Sequence, residues 1–163
     1  MDNNKENTLK ERLRQALEST ARVISNDLNN KENLDHNKSS KKFDFYNLEN
    51  LSSKNDFIKA RAESDSLALK KKFSDTSIFK KNSPSNSSCK SLYSIAERIR
   101  YESLGIKMLK GIEKNLKENY NKIIELKRKD QLKTKDDVPI IEAFELYMLK
   151  NFHNIQLNSL TNK

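Results

Sequence analysis

The sequence predicts a mainly α fold: a small helical domain of four main helices around one long helix over about residues 92–127. Three observations predict it. The chain has 163 residues, 34% apolar and 34% charged, which is enough for a modest helical core and too little for a large enzyme core. It holds two glycines and two prolines, whereas a strand-and-turn fold needs turn residues about every 8–12 positions. Its apolar residues recur at spacings of three and four, the period of one helix face.

Residues 1–28 read as an N-terminal amphipathic helix, regular from 8 onward. Leu9, Leu13, Ala16, Leu17, Ala21, Ile24 and Leu28 form its stripe. Thr8 and Glu11 match a capping box, in which each side chain satisfies a free amide of the first turn. Residues 29–42, NNKENLDHNKSSKK, have no period and little to bury, and read as a polar linker. Residues 43–51, FDFYNLENL, alternate Phe43 and Phe45 with Asp44. They fit a short β-hairpin arm or a loop that tucks its rings onto the core. Residues 53–73 predict a second helix, capped by Ser52 or Ser53, with Phe57, Ile58, Leu67, Ala68 and Leu69 as its apolar surface. Residues 80–90, rich in serine and asparagine, read as a loop, with no helix before about Leu92.

The helix expected at 92–127 places Ile95, Ile99, Ile106, Leu109, Leu116, Tyr120 and Ile124 on one side. A second stripe carries Tyr101, Leu104, Met108 and Gly111, with Asn115 one turn on. Gly105 and Gly111 lie inside this helix, where each costs roughly 1 kcal/mol relative to alanine. A glycine on an apolar row lets another backbone come close, so the helix is expected to run between two neighbours, with Gly111 at the close approach. Residues 135–152 predict a last helix, capped by Asp136 or Asp137 with Pro139 in the first turn, apolar around most of its circumference. Residues 153–163 read as a flexible tail.

The formal net charge is +9, and residues 57–128 hold the whole excess, 17 Lys/Arg against 8 Asp/Glu. This middle stretch is the expected contact surface for an acidic partner. The single cysteine, Cys89, excludes an intramolecular disulfide and fits a reducing compartment. No signal-like run opens the chain and no membrane-length apolar stretch occurs, so a cytoplasmic protein without a membrane partner is expected. No glycine-rich phosphate loop is present. His36 and His153 are expected at the surface, without zinc-ligand spacing. No catalytic or metal-binding set stands out, and the lysine clusters 70–72 and 80–81 lack the interleaved rings of a nucleic-acid reader.

One set of spacings is more specific. Arg61, Ala62, Asp65, Ala68, Leu69 and Lys70 lead to Asp75. After Pro84 follow Glu97, Arg100, Glu102 and Gly105 as E-x-x-R-x-E-x-x-G, then Leu109, Lys110, Gly111, Asn115 and Leu116. This order resembles the N-terminal region of the CobT subunit family of aerobic cobaltochelatase, over about 60 residues closely and 140 loosely. The resemblance implies that residues 43–152 form a CobT-like helical domain. Members of the family continue into a von Willebrand A-type domain with a D-x-S-x-S motif, which these residues lack. The resemblance further implies a non-catalytic assembly subunit in an ATP-dependent complex that inserts Co2+ into a corrin ring. Its partners would be an AAA+ ATPase subunit and a large corrin-binding subunit, with a homo-oligomeric ring as one form of assembly. No cofactor is expected on this chain; ATP, Mg and Co2+ belong to the partner subunits. Arg100, Tyr101, Glu102, Leu104, Met108, Lys110, Gly111 and Asn115 become the expected partner-binding residues. A basic nucleic-acid-binding protein, or a helical scaffold without a chelatase role, are the alternatives.

Overall fold

The computed structural model describes residues 2–26, 53–126 and 138–157. Six helices follow in order: α1 (Asp2–Ser25), α2 (Lys54–Phe73), α3 (Thr76–Lys81), α4 (Ser87–Met108), α5 (Lys110–Glu125) and α6 (Ile140–His153). Among the described residues there is no strand; the hairpin arm considered at 43–51 lies outside them, as does the linker.

Helix α1 begins at Asp2, so Thr8 lies inside it and not at its cap. Glu11 instead accepts hydrogen bonds from Arg14 at 2.7 and 2.9 Å and from Gln15 at 3.0 Å. Leu17, Ala21 and Ile24 carry the buried stripe, four and three residues apart, and lie against α2. Helix α2 starts as expected. Ser53 Oγ accepts from the Asp56 amide, and Asp56 Oδ2 accepts from the Ser53 amide at 2.8 Å.

The buried face of α2 differs from the expected one. Phe57 and Leu67 are exposed, while Ala62, Ser64, Asp65, Ala68 and Leu69 are buried. Small side chains let neighbouring axes approach closely, and α2 accordingly packs against α1, α4 and α5. Serine at 64 completes the contact with α1, its hydroxyl donating to the Leu17 carbonyl at 3.5 Å.

Two further differences concern residues 74–91. The short helix α3 forms where no element is expected and takes in the first two residues of the expected 80–90 loop; Asp75 caps its start by accepting from the amides of Ser77 and Ile78 at 2.7 and 3.1 Å. Helix α4 begins at Ser87, because Asn86 Oδ1 accepts from the Cys89 amide at 3.1 Å.

The long rod expected at 92–127 is two helices. Leu109 separates them in an extended conformation (φ −141°, ψ 115°). Its amide closes α4 on the Gly105 carbonyl at 2.9 Å, and its own carbonyl accepts from Ile112 and Glu113 to start α5. At 3.6 residues per turn, the Ile112, Leu116, Tyr120, Ile124 row sits roughly 60° round from the Ile95, Ile99, Ile106 row, an offset that fits within one helix face, so the apolar period does not by itself call for the break. All four residues of the α5 row are buried, and Leu69, Ile99 and Leu116 at the centre are among the most completely buried side chains. Each such burial contributes about 1.5–3 kcal/mol.

Helix α6 packs on α4 through Leu146, Leu149 and His153, while Ile140, Tyr147 and Phe152 are exposed. Its apolar circumference is therefore covered on one side by the described residues. Asn154 ends the helix in the left-handed conformation (φ 52°), which asparagine adopts more readily than most residues. The reversal returns Ile155 to the core. His153, expected at the surface, is 1% exposed.

Candidate functional site

The residues that carry the expected site divide into an inner and an outer set around the junction of α2, α4 and α5. The inner set begins with Asp65 of α2. Its carboxylate is buried and accepts from Asn115 Nδ2 of α5 at 2.7 Å. Burial pushes this carboxyl above its ordinary value, with the Asn115 hydrogen bond and the Arg61 charge opposing. Asn115 thus faces inward, as a tie between two helices 50 residues apart in the chain.

Glu102 of α4 is the second buried acid, 1% exposed. Ser66 Oγ of α2 donates to its Oε1 at 2.6 Å, and the Tyr120 hydroxyl of α5 donates to its Oε2 at 2.8 Å. From α6, His153 Nδ1 approaches the same oxygen at 3.9 Å, and the His153 ring tilts against that of Tyr120, centroids 5.7 Å apart. Four helices therefore meet on one carboxyl group. Burial pushes Glu102 upward, against the hydrogen bonds from Ser66 and Tyr120 and the charge of Arg98. Burial, then the charges of Arg98 and Lys117, hold the His153 imidazole down at about 4, with the Ile99 carbonyl opposing. Neither ring nitrogen reaches hydrogen-bond geometry with a described residue. Both shifts favour the uncharged form, which is the form a dry interior tolerates.

Arg98 and Arg100 fasten α4 on either side of this centre. Arg98 pairs with Glu145 of α6 and lies over the Tyr120 ring at 5.9 Å. Arg100 pairs with Glu97 at 2.7 Å and donates to the Phe73 carbonyl at the end of α2, also at 2.7 Å. Glu97 in turn accepts from the Ser74 hydroxyl at 2.5 Å. The E-x-x-R spacing is therefore an ion pair one turn long that also caps the last turn of α2.

Gly105 explains the first of the two helical glycines. A Cβ built there would meet Leu69 Cγ at 3.0 Å and both Cδ carbons closer still. Here α2 and α4 cross with no room for a methyl group. Gly111 differs from expectation: nothing lies within 4 Å of a Cβ placed on it, so the described residues make no close approach there. It sits in the first turn of α5, beyond the break that carries the chain outward.

The outer set is smaller than the expected stripe. Tyr101 is 6% exposed and belongs to the core. Leu104, Met108 and Leu109 are 38%, 41% and 44% exposed, with Lys110 and Gly111 exposed beside them. These five residues form an apolar strip with one cation at the α4–α5 break.

Sequence reasoning did not single out Asp65, Ser66, Tyr120 or His153 as a polar group. One signal for His153 was available: Leu146, Leu149 and His153 are three and four residues apart, so the histidine continues the buried row of α6. Among the described residues no cluster of three or more His, Cys, Asp or Glu is placed to hold a metal ion. No described helix is long and apolar enough to cross a membrane. Glu102, Tyr120 and His153 are covered by their neighbours, and a general acid or base must touch its substrate. What this geometry does chemically is to tie helices together through buried polar groups, hydrogen-bonded at Asp65 and Glu102.

A family model described as cobalamin biosynthesis protein CobT matches residues 7–153. No curated protein matches this chain, and no solved structure does.

Proposed function

We infer, because this chain belongs to the CobT family and so takes part in cobalamin biosynthesis, that it is an assembly and coupling subunit of an ATP-dependent cobaltochelatase. In this reading the chain performs no chemistry of its own. It docks in the cytoplasm on an AAA+ ATPase subunit, which binds ATP and Mg, alone or as part of a ring. It stands beside the large subunit that holds the corrin ring and inserts Co2+. The observation that carries the reading is the extent of the family match, which runs from α1 through the last residue of α6.

The docking face in this proposal is the strip of Leu104, Met108, Leu109, Lys110 and Gly111. Contiguous exposed apolar side chains are the usual mark of a contact surface, and the three large ones here adjoin a helix end. Tyr101, Glu102 and Asn115 serve the contact from inside and Arg100 from the surface, by holding α4 and α5 on α2 and so presenting the strip.

Co-purification with the AAA+ subunit tests this. The variant carrying Leu104→Asp and Met108→Asp is expected to remain folded with a lowered urea midpoint, because both side chains are partly covered and aspartate is unfavourable at a helix C-terminus, and to lose the ATPase subunit. Undiminished co-purification of that variant would overturn the assignment of the face. Failure of the unaltered chain to retain the ATPase subunit would overturn the assembly role.

A further inference from the structure

We propose that the cleft between the C-terminal end of α2, α3 and the N-terminal half of α4 binds a small organic anion, one that joins an aromatic or otherwise apolar body to a phosphate or carboxylate. The cleft has a volume of about 500 Å³, within the range of small-molecule sites. Three different elements each send one cation to its wall: Lys70 from α2, Lys80 from α3 and Lys90 from α4. Among the described residues neither Lys80 nor Lys90 has a carboxylate within ion-pair distance.

The two acids of the wall are committed elsewhere. Asp75 accepts from the Ser77 amide and hydroxyl and the Ile78 amide, and these hydrogen bonds hold its carboxyl below its ordinary value. Glu97 is held down first by its hydrogen bond from Arg100, then by that from Ser74, against the effect of burial. Both acids stay ionised, and Glu97 also feels the charge of Lys70, so the wall carries three cations against two carboxylates, with Lys80 and Lys90 the cations that have no ion-pair partner among the described residues.

The remaining lining supplies the other half of the recognition. Phe79 stands at the wall with its ring stacked on Tyr93, centroids 4.9 Å apart and planes 18° off parallel. That contact fixes the ring in place, and Tyr101 adds a second aromatic surface. Ser83 Oγ, also in the wall, is buried without a hydrogen-bond partner among the described residues. Cations from three directions around a ring-lined hollow suit one compact ligand. A nucleic-acid strand would need a continuous basic track instead.

The probe is 1-naphthyl phosphate, titrated into the full chain and followed by its fluorescence and by backbone amide shifts. Inorganic phosphate and uncharged 1-naphthol are its two halves. The whole is expected to bind at least about tenfold more tightly than either half, with shifts concentrated at Ser74, Ser83 and Ser94. Lys80→Ala and Lys90→Ala are each expected to weaken it about tenfold, the usual effect of losing one charged hydrogen bond, and to leave 1-naphthol binding unchanged. Lys114→Ala, on α5 and outside the cleft, is expected to change nothing. Equal affinity for inorganic phosphate, shifts scattered over other lysines, or indifference to both lysine substitutions would each overturn the proposal.

Discussion

An alanine at position 105 forces a methyl group into space that Leu69 already fills. Leu69 is fully buried and the new Cβ would fall inside van der Waals contact with three of its carbons. Either the leucine leaves its rotamer or α2 and α4 move apart, and overpacking of this kind costs about 1–3 kcal/mol. Alanine returns about 1 kcal/mol of helix propensity. The net expectation is a loss of up to about 2 kcal/mol. The same substitution at Gly111, where nothing lies within 4 Å, keeps only the propensity gain, and less than the interior value because the site is in the first turn. Gly111→Ala should therefore stabilise by up to about 0.5 kcal/mol. Urea unfolding followed by far-UV circular dichroism reads both, provided the slope with denaturant is unchanged. Leu69→Ala alone should cost about 2–5 kcal/mol. Combined with Gly105→Ala it should cost less than the sum by about 1 kcal/mol, since the added methyl enters the space left behind. If Gly105→Ala stabilises the chain as Gly111→Ala does, the close crossing of α2 and α4 is wrong.

Two further outcomes follow from the caps and the buried histidine. Ser53→Ala removes one half of the capping box of α2 and should cost about 1 kcal/mol; an unchanged urea midpoint would show that the box contributes nothing. His153 has its folded value near 4, below its ordinary 6.5. Its contribution is thus fully present above about pH 6.5 and lost as pH falls through about 4. The gap of about 2.5 units corresponds to roughly 3 kcal/mol. Glu102 works in the opposite sense. Its folded value is raised above 4.5, so the native state takes up that proton first and acidification through this range favours folding. Stability measured between pH 7 and pH 4 should therefore fall less steeply in His153→Phe than in the unaltered chain, and more steeply in Glu102→Gln. An acid slope unaffected by His153→Phe would remove the histidine from the account.

Helices were legible where either an apolar period or a local cap was clear: the Leu17, Ala21, Ile24 row for α1, whose expected cap at Thr8 lies inside the helix, and the Ser53 cap for α2, whose expected apolar face is partly exposed. Helix α3 was not, because six residues are too few to show a period and its start rests on one side chain, Asp75. The break at Leu109 was hidden because the apolar rows on its two sides lie within one helix face of each other, so the period runs through it unmarked. The buried acids were hidden for another reason. Nothing local marks Asp65 or Glu102 as interior; each is tolerated there because of side chains from other helices, Asn115 for one and Ser66 and Tyr120 for the other. The spacing that revealed the family likeness was readable without knowing this, since a pattern can be matched before the contacts that impose it are seen. Of the eight residues expected at a partner surface, Leu104, Met108, Lys110 and Gly111 face outward beside Leu109, and Arg100 is exposed while tied to Glu97 and the Phe73 carbonyl. Tyr101, Glu102 and Asn115 have their contacts inside the fold.

The most direct test of that internal role is a double-mutant cycle between Asp65 and Asn115, each changed to alanine and read by urea unfolding. The two side chains are joined at 2.7 Å across α2 and α5, so the effects should fail to add, with a coupling of about 1 kcal/mol or more. Effects that add to within about 0.5 kcal/mol, or single variants as stable as the unaltered chain, would contradict the claim that these residues hold the helices together.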